Sequence, residues 1–322
     1  MKYIIVGSGN ISQTWFNVVA ELKGDVVGFI SRSGMNAISE CPVWAHLDHV
    51  DVPFDAIIVT TPNGLHHQSI LTAAKLGKHV VTEKPLDISL EAIDRCIEAC
   101  KTAGVTLAIS YQRRTAPDNA AVKRLMDSGA FGRVYSADVT AKFYRAQSYY
   151  DSAQYRGGYE IDGGGVFMQQ ACHNLDLYTW FFGMPKQVVS MLDTFAHKMD
   201  AEDHGAVLFR HDNGMIGTVI ASTATKPGFS AQIQVHTEKG SFTLTDDIIT
   251  DWHIDDLLNP TDPQYDYQHD GATSATVADT RCHKSILIDF EHAIKTGEQP
   301  LVNAESARVT TELILAIYQS KV

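Results

Sequence analysis

The chain is poor in the features that would set it apart from ordinary soluble proteins. It has five cysteines, an odd number without framework spacing, which excludes a disulfide-stapled fold and fits a reducing cytoplasm. Cys96 and Cys100 share a helical spacing but have no companion ligands nearby, so they read as buried thiols, and no metal is expected. No apolar run approaches the ~18 residues of a membrane span. The run within MKYIIVGSG is too short for a signal peptide and is needed as a strand. Basic residues number 26 against 38 acidic ones, and a net charge of -12 argues against nucleic acid as a partner. Internal repeats, low-complexity tracts and Gly/Ser/Pro linkers are also missing. With 44% hydrophobic residues over 322 positions, enough apolar side chain remains for two domains.

Residues 55–87, DAIIVTTPNGLHHQSILTAAKLGKHVVTEKPLD, organise the rest. Ala56-Ile57-Ile58-Val59 has the short β-branched pattern of a buried parallel strand. The turn Thr60-Thr61-Pro62-Asn63-Gly64 leads to a helix with Leu65, Ile70, Leu71, Ala74 and Leu76 on its apolar side, closed by Gly77. His79-Val80-Val81 makes a second strand, with Glu83-Lys84-Pro85 just past its end. The polar residues of this βαβ unit fall outside the carboxyl ends of the strands, where open α/β sheets bind ligands. Upstream, a strand over residues 2–6 runs through Gly7-Ser8-Gly9-Asn10-Ile11-Ser12 into a helix. In that context the glycines read as a dinucleotide site, Gly7 for the tight turn and Gly9 for approach of a pyrophosphate to the helix N-terminus. The next strand, residues 26–30, ends in Ser31-Arg32-Ser33, where an NAD site usually carries Asp or Glu for the ribose 2′-hydroxyl. Two hydroxyls around a guanidinium suit a 2′-phosphate, so NADP(H) is expected to be preferred, with NAD(H) possible.

Residues 34–54 are irregular, with Trp44 packed on the domain. A helix over 90–103, a strand over 105–109 ending at Tyr111-Gln112-Arg113-Arg114, and a helix over 117–128 follow. The boundary is placed at residue 119: a dinucleotide-binding domain over 1–119 and a substrate-binding and oligomerisation domain over 120–322. The second domain opens with a strand over 133–145 and a loop, 146–162, holding four tyrosines and Arg156. Gly163-Gly164-Gly165 introduces a helix reaching Phe182, whose spacing puts Gln169, His173 and Asp176 on one face. Strands over 186–194, 205–210, 215–222, 231–237 and 240–245, with turns such as His211-Asp212-Asn213-Gly214, imply an antiparallel sheet. Residues 255–280 lack any period and read as a functional or mobile loop. Helices over 283–296 and 304–320 finish the chain. The fold class is α/β, an N-terminal Rossmann doubly wound parallel sheet followed by a C-terminal α/β domain with an open, mostly antiparallel sheet. A sheet with helices on one face leaves the other to be covered, which predicts a homodimer or homotetramer built through it.

TTPNGLHH, AAKLGKHVVTEKPL and GSGNIS, continued by YQRR, SGAFGRV and YRGGYEIDGGGVFMQQACHNLD, together resemble the Gfo/Idh/MocA oxidoreductases, closely over about the first 185 residues and in general layout beyond. The resemblance implies that Lys84 lies beside the nicotinamide and the reacting carbinol, where its ammonium stabilises a developing alkoxide or relays its proton. It implies that Glu83 helps hold the cofactor, with further contacts from Ser8, Asn10, Ile11, Thr60, Thr61, Pro62, Asn63, His66 and Gln112. The family's pattern after the glycines is often Asp with His four residues on; His173 and Asp176 match, and Gln169 departs. Aminosugar and nucleotide-sugar members can carry an amide there. An amide cannot act as a base, so acid/base duty falls on His173 or Lys84, with His173 expected as the main group because imidazole titrates nearest neutrality. Tyr155 and Arg156 suit a sugar or its phosphate groups; with Lys84, Gln169, His173 and Asp176 they make the expected substrate contacts. His67, His79 and Cys172 read as structural.

The activity implied is reversible oxidation of a secondary alcohol on a sugar, polyol or nucleotide-sugar derivative, with hydride passing to a nicotinamide cofactor. Two other classes stay open. A glycosidase using tightly bound NAD in a transient redox step would cleave aryl glycosides without net NAD(P)H turnover. A non-catalytic cofactor-binding regulator is disfavoured by the survival of both Lys84 and His173. The expected setting is cytoplasmic, with no membrane partner.

Overall fold

Short apolar segments carry the first sheet. Strands β1 (Lys2–Val6), β2 (Asp25–Ile30), β3 (Val43–Trp44), β4 (Ala56–Val59), β5 (His79–Thr82) and β6 (Leu107–Ile109) pair in parallel in the order β3-β2-β1-β4-β5-β6. Every residue of β4 is fully buried, as a strand covered on both faces must be, which is why it reads as an unbroken apolar run. Helices α1 (Asn10–Glu21), α2 (His66–Lys75) and α3 (Leu90–Ala103) make the crossovers that parallel pairing requires. The strand order reverses between β1 and β4, and that switch point is where this fold class binds its ligands. Cys96 and Cys100 lie on the buried face of α3, where burial pushes both thiols up to about 12.

This computed structural model describes residues 1–32, 34, 37–265, 271–273 and 279–322, and it comprises two compact units. The first contains residues 1–112 and 280–311; the second contains 113–279 and 312–322. In the second, α4 (Pro117–Asp127), β7 (Val134–Lys142), α5 (Gln147–Asp151), α6 (Val166–Gln169) and α7 (Cys172–Phe182) precede β8 (Gln187–Asp193), β9 (His204–Arg210), β10 (Ile216–Ser222), β11 (Gln232–Thr237), β12 (Gly240–Thr245) and β13 (Ile248–Ile254). The sheet order is β13-β12-β11-β7-β10-β9-β8, antiparallel except where β10 pairs parallel to β7. Alternate residues such as Val139, Val207, Val219 and Val235 point into a core shared with α7. Of the last two helices, α8 (Arg281–Thr296) packs on α1 and buries Ile286, Leu287 and Phe290 in the first core. In α9 (Ala304–Gln319), Ala304 and Ala307 belong to the first core and Leu313, Ile314 and Ile317 to the second.

The structure departs from expectation in several places, among them a short strand, β3, within the stretch expected to be irregular and a short helix, α5, within the expected loop 146–162. An additional edge strand, β13, extends the second sheet. The β7–β10 pair is parallel, because the two strands are separated by helices and other strands instead of a hairpin turn. The single helix expected after Gly165 is two: at Ala171 the backbone N–H bonds to Val166 O, five residues back, so the helix widens and α7 restarts at Cys172. Gln169 therefore ends α6 and does not share a regular helical face with His173 and Asp176. The expected loop over 255–280 falls in part outside the described residues.

Candidate active site

The first unit supplies a turn built for an anion. Gly7 lies at φ 122°, in the region that glycine tolerates, and a Cβ there would come within 2.4 Å of the Thr60 hydroxyl. Thr60 is itself buried, donating to Val6 O at 2.7 Å and paired with the Ser12 hydroxyl at 2.8 Å. Thr60 thus shapes the turn and offers no side chain to a cofactor, and Ser12 holds the third position of the glycine pattern because its hydroxyl meets Thr60. Gly9 caps α1 with extended backbone (φ -86°, ψ -175°) and no side-chain hydrogen bond, and among the described residues its absent Cβ would meet nothing within 4 Å. Ser8 and Asn10 beside it are exposed, and Ile11 is half-buried. Open space over the uncapped amides of a helix N-terminus fits a diphosphate. The Thr61 hydroxyl, buried and without a hydrogen-bond partner among the described residues, adds a polar group that a ligand could satisfy.

At the end of β2, Ser31 is buried, with its N–H on Trp44 O at 3.0 Å, while Arg32 projects as an exposed side chain. Ser33 lies outside the described residues. Pro62 and Asn63 are half-buried at the start of the turn into α2, and Gln112 is half-buried in a 3-10 turn. His66, expected at the nicotinamide, is fully buried with Nδ1 2.8 Å from Pro85 O and Nε2 2.8 Å from Thr61 O. Burial lowers its pKa, against the two carbonyls that favour the charged ring. His66 therefore ties the Thr61 turn to the Lys84-Pro85 segment and leaves neither ring nitrogen for a ligand.

Just past β5, Lys84 is half-buried and its neighbour Glu83 is buried. The Glu83 carboxylate accepts the Trp15 indole N–H at 2.8 Å and the Lys84 backbone N–H at 3.3 Å, with His283 Nε2 4.0 Å away. Trp15 is fully buried and meets the His283 ring edge-on. Desolvation raises the Glu83 pKa, although Trp15 and Lys84 favour its charged form. Glu83 is thus a fixed anchor under Lys84, facing the protein more than a ligand. His67 pairs with Asp87 at 2.9 Å, and His79 accepts Thr106 N–H at 3.0 Å.

In the second unit, Gly164 and Gly165 owe their composition to packing. A Cβ on Gly165 would stand 1.7 Å from Glu202 O, and one on Gly164 2.0 Å from the Tyr318 hydroxyl. Glu202 accepts the N–H groups of Gly165 and Phe167 and the Tyr318 hydroxyl, pinning the start of α6. Gln169 at its end donates to Asp162 O at 2.7 Å. His173 is half-buried in the first turn of α7. Asp176, expected at the substrate, is instead the counter-ion of Arg114: Nε–Oδ2 2.8 Å and Nη2–Oδ1 2.6 Å, with Trp180 against the guanidinium.

Arg156 donates from Nη1 to the Tyr149 hydroxyl at 2.8 Å, and its guanidinium carbon lies 4.5 Å from the Tyr149 ring centroid and 5.8 Å from that of Tyr155. Gln170 donates to the same hydroxyl at 3.3 Å. Tyr150 is buried against Thr223 and is structural. Gln170 and Glu202 were missed from sequence; the doubled glutamine was the available signal for the first, and nothing local marked the second.

Residues 1–111 match the oxidoreductase family with an NAD-binding Rossmann fold, and residues 119–243 match the GFO/IDH/MocA C-terminal domain. The chain is 25% identical to the scyllo-inositol 2-dehydrogenase (NAD(+)) of Bacillus subtilis, over 93% of this chain and 84% of that protein. It is 29% identical to the D-xylose 1-dehydrogenase (NADP(+)) 2 of Haloferax volcanii, over 84% and 79%. Among solved structures, the WlbA dehydrogenase from Bordetella pertussis in complex with NADH and UDP-GlcNAcA superposes with a TM-score of 0.87 at 27% identity, covering 99% of this chain and 95% of that one.

Proposed function

Because the chain belongs to the GFO/IDH/MocA oxidoreductase family, we propose that it moves a hydride between NADP(H) and a secondary alcohol or ketone of a sugar, polyol or nucleotide-sugar derivative. The observation that carries this reading is Lys84, half-buried past the end of an interior strand, with its backbone N–H on the buried Glu83 carboxylate. The inositol and xylose dehydrogenases among its relatives, and the nucleotide sugar bound by a similar structure, support a carbohydrate substrate.

The first unit holds the dinucleotide: the Gly7–Gly9 turn and the amides of α1 take the diphosphate, and Arg32 takes the 2′-phosphate. The nicotinamide, when bound, supplies or accepts the hydride. The protein's part is orientation and proton transfer. Lys84 orients and polarises the substrate oxygen, His173 takes or returns the hydroxyl proton, and Gln169, which cannot ionise, hydrogen-bonds the substrate. Tyr155 and Arg156 bind the carbohydrate. Asp176 has no place in this assignment, since its carboxylate is taken by Arg114.

The test is a screen of polyols, sugars and nucleotide sugars with NADP⁺ and NAD⁺, read by formation of reduced nicotinamide. Turnover that is lost in Lys84→Met supports the reading; cleavage of an aryl glycoside without net cofactor reduction would replace it. Cofactor choice is tested separately by fluorescence titration. NADPH should bind more tightly than NADH, and Arg32→Asp should weaken NADPH by roughly 10- to 100-fold, the size of a lost charge-assisted phosphate contact. Equal affinities, or a preference untouched by Arg32→Asp, contradict the assignment.

A further inference from the structure

We infer that the second unit carries a subsite for the acidic group of an anionic carbohydrate, formed by Arg156 and Lys198; this rests on the carbohydrate reading above. A cavity of about 380 Å³ opens between the segment following α5 and the β8–β9 connection, with Tyr150, Asp151, Arg156, Gly157, Lys198 and Asp200 in its wall. The chain has far more acidic than basic residues, yet neither cation in this wall forms an ion pair among the described residues.

Arg156 is held in place for recognition. Its guanidinium lies over the Tyr149 ring and donates to the Tyr149 hydroxyl, which Gln170 also engages, so its position is restrained before any ligand arrives. Its buried Nε finds no hydrogen-bond acceptor among the described residues. Lys198 has an exposed ammonium on a pinned backbone: its N–H donates to Gln147 Oε1 at 2.8 Å, and its carbonyl accepts from Gln147 Nε2 at 3.3 Å. The preceding residue, His197, is locked between Asp203 and Arg145 O. Asp151 and Asp200, the carboxylates of the same wall, pair with neither cation and suit sugar hydroxyls as donors to them. A planar fork, a point charge and two hydroxyl acceptors around one cavity together match a carbohydrate bearing a carboxylate or a phosphate. Tyr149 links this wall to Gln170, one residue from Gln169.

The experiment is titration calorimetry on the full chain with its reduced nicotinamide cofactor present, using D-glucuronate, D-glucose 6-phosphate and D-glucose. One acidic probe should bind at least ~10-fold more tightly than glucose, the scale of one charge-assisted hydrogen bond, and added salt should weaken that preference. Preference for glucuronate assigns a carboxylate; preference for the phosphate ester assigns a phosphate. Arg156→Gln and Lys198→Ala should each reduce the preference, and the exposed Lys198 gives a variant with little risk to folding. Equal binding of glucose and both acids, no binding of either acid at millimolar concentration, or a preference that survives both substitutions overturns the subsite. Turnover of neutral polyols without any acid preference would remove the subsite and leave the oxidoreductase reading intact. Acid binding that depends on Arg156 and Lys198, in a protein that oxidises and reduces no carbohydrate, would do the reverse.

Discussion

At Asp176 a carboxylate and the Arg114 guanidinium face each other with both side chains 1% exposed. Neither charge has solvent to fall back on, so Asp176→Asn should cost about 3–5 kcal/mol of stability, the penalty for leaving one partner of a buried pair alone. A urea midpoint measures this, and a loss below about 1 kcal/mol would class the pair with surface ion pairs. His173, on the same helix, stands in a different situation. It is half-buried, and its proposed work is on the substrate proton. His173→Ala should lower kcat/KM by ~10²-fold or more while leaving cofactor affinity alone, a typical size for lost acid–base catalysis. It should also remove one limb of the pH–rate profile. If that limb persists in His173→Ala and vanishes in Lys84→Met, the lysine carries the proton.

Two glycines begin helices and differ in why they are glycines. Gly9 precedes α1 with no described residue within 4 Å of where its Cβ would be, whereas Gly165 precedes α6 against the Glu202 carbonyl. Gly165→Ala should therefore destabilise the protein, by about 1–3 kcal/mol or more as overpacking does. Gly9→Ala should leave the thermal midpoint nearly unchanged and weaken cofactor binding instead. Equal effects of the two on stability would refute this division. The same contrast explains what could be read before the structure. The βαβ unit around β4 and β5 was legible because its signals are local: an apolar strand, a turn, a helix and a stopping glycine. The place of Lys84 at the end of β5 followed from that. What decides the α6–α7 break, and the reason for the glycines before it, lies at Glu202, 37 residues beyond Gly165. The parallel pairing of β7 with β10 likewise joins strands far apart in sequence. His66 and Asp176 looked available for ligands because their partners, the carbonyls of Thr61 and Pro85 and the Arg114 fork, cannot be paired with them by spacing.

For the molecule as a whole, the outward face of the second sheet carries an apolar patch on β8, β9 and β10. Val189 lies opposite Leu208 across β8 and β9, with Met191 and Ile216 nearby, and these four are 45%, 56%, 66% and 43% exposed respectively. A patch of this kind on a sheet face suits self-association, so light scattering should give at least twice 35.4 kDa. Met191→Glu combined with Leu208→Glu should return the mass to that of one chain; a wild-type protein already at 35.4 kDa rules the idea out. The partition of the chain has a different kind of consequence. Since residues 280–311 belong to the first unit, that unit cannot be finished as it leaves the ribosome. Its last residue, Thr311, is made about 200 residues after Gln112, which at ~5–20 residues per second is a wait on the order of 10–40 s. During translation the nascent first unit therefore waits with the α8 side of its core bare, and the second unit, synthesised in between, has the earlier opportunity to fold nearly complete.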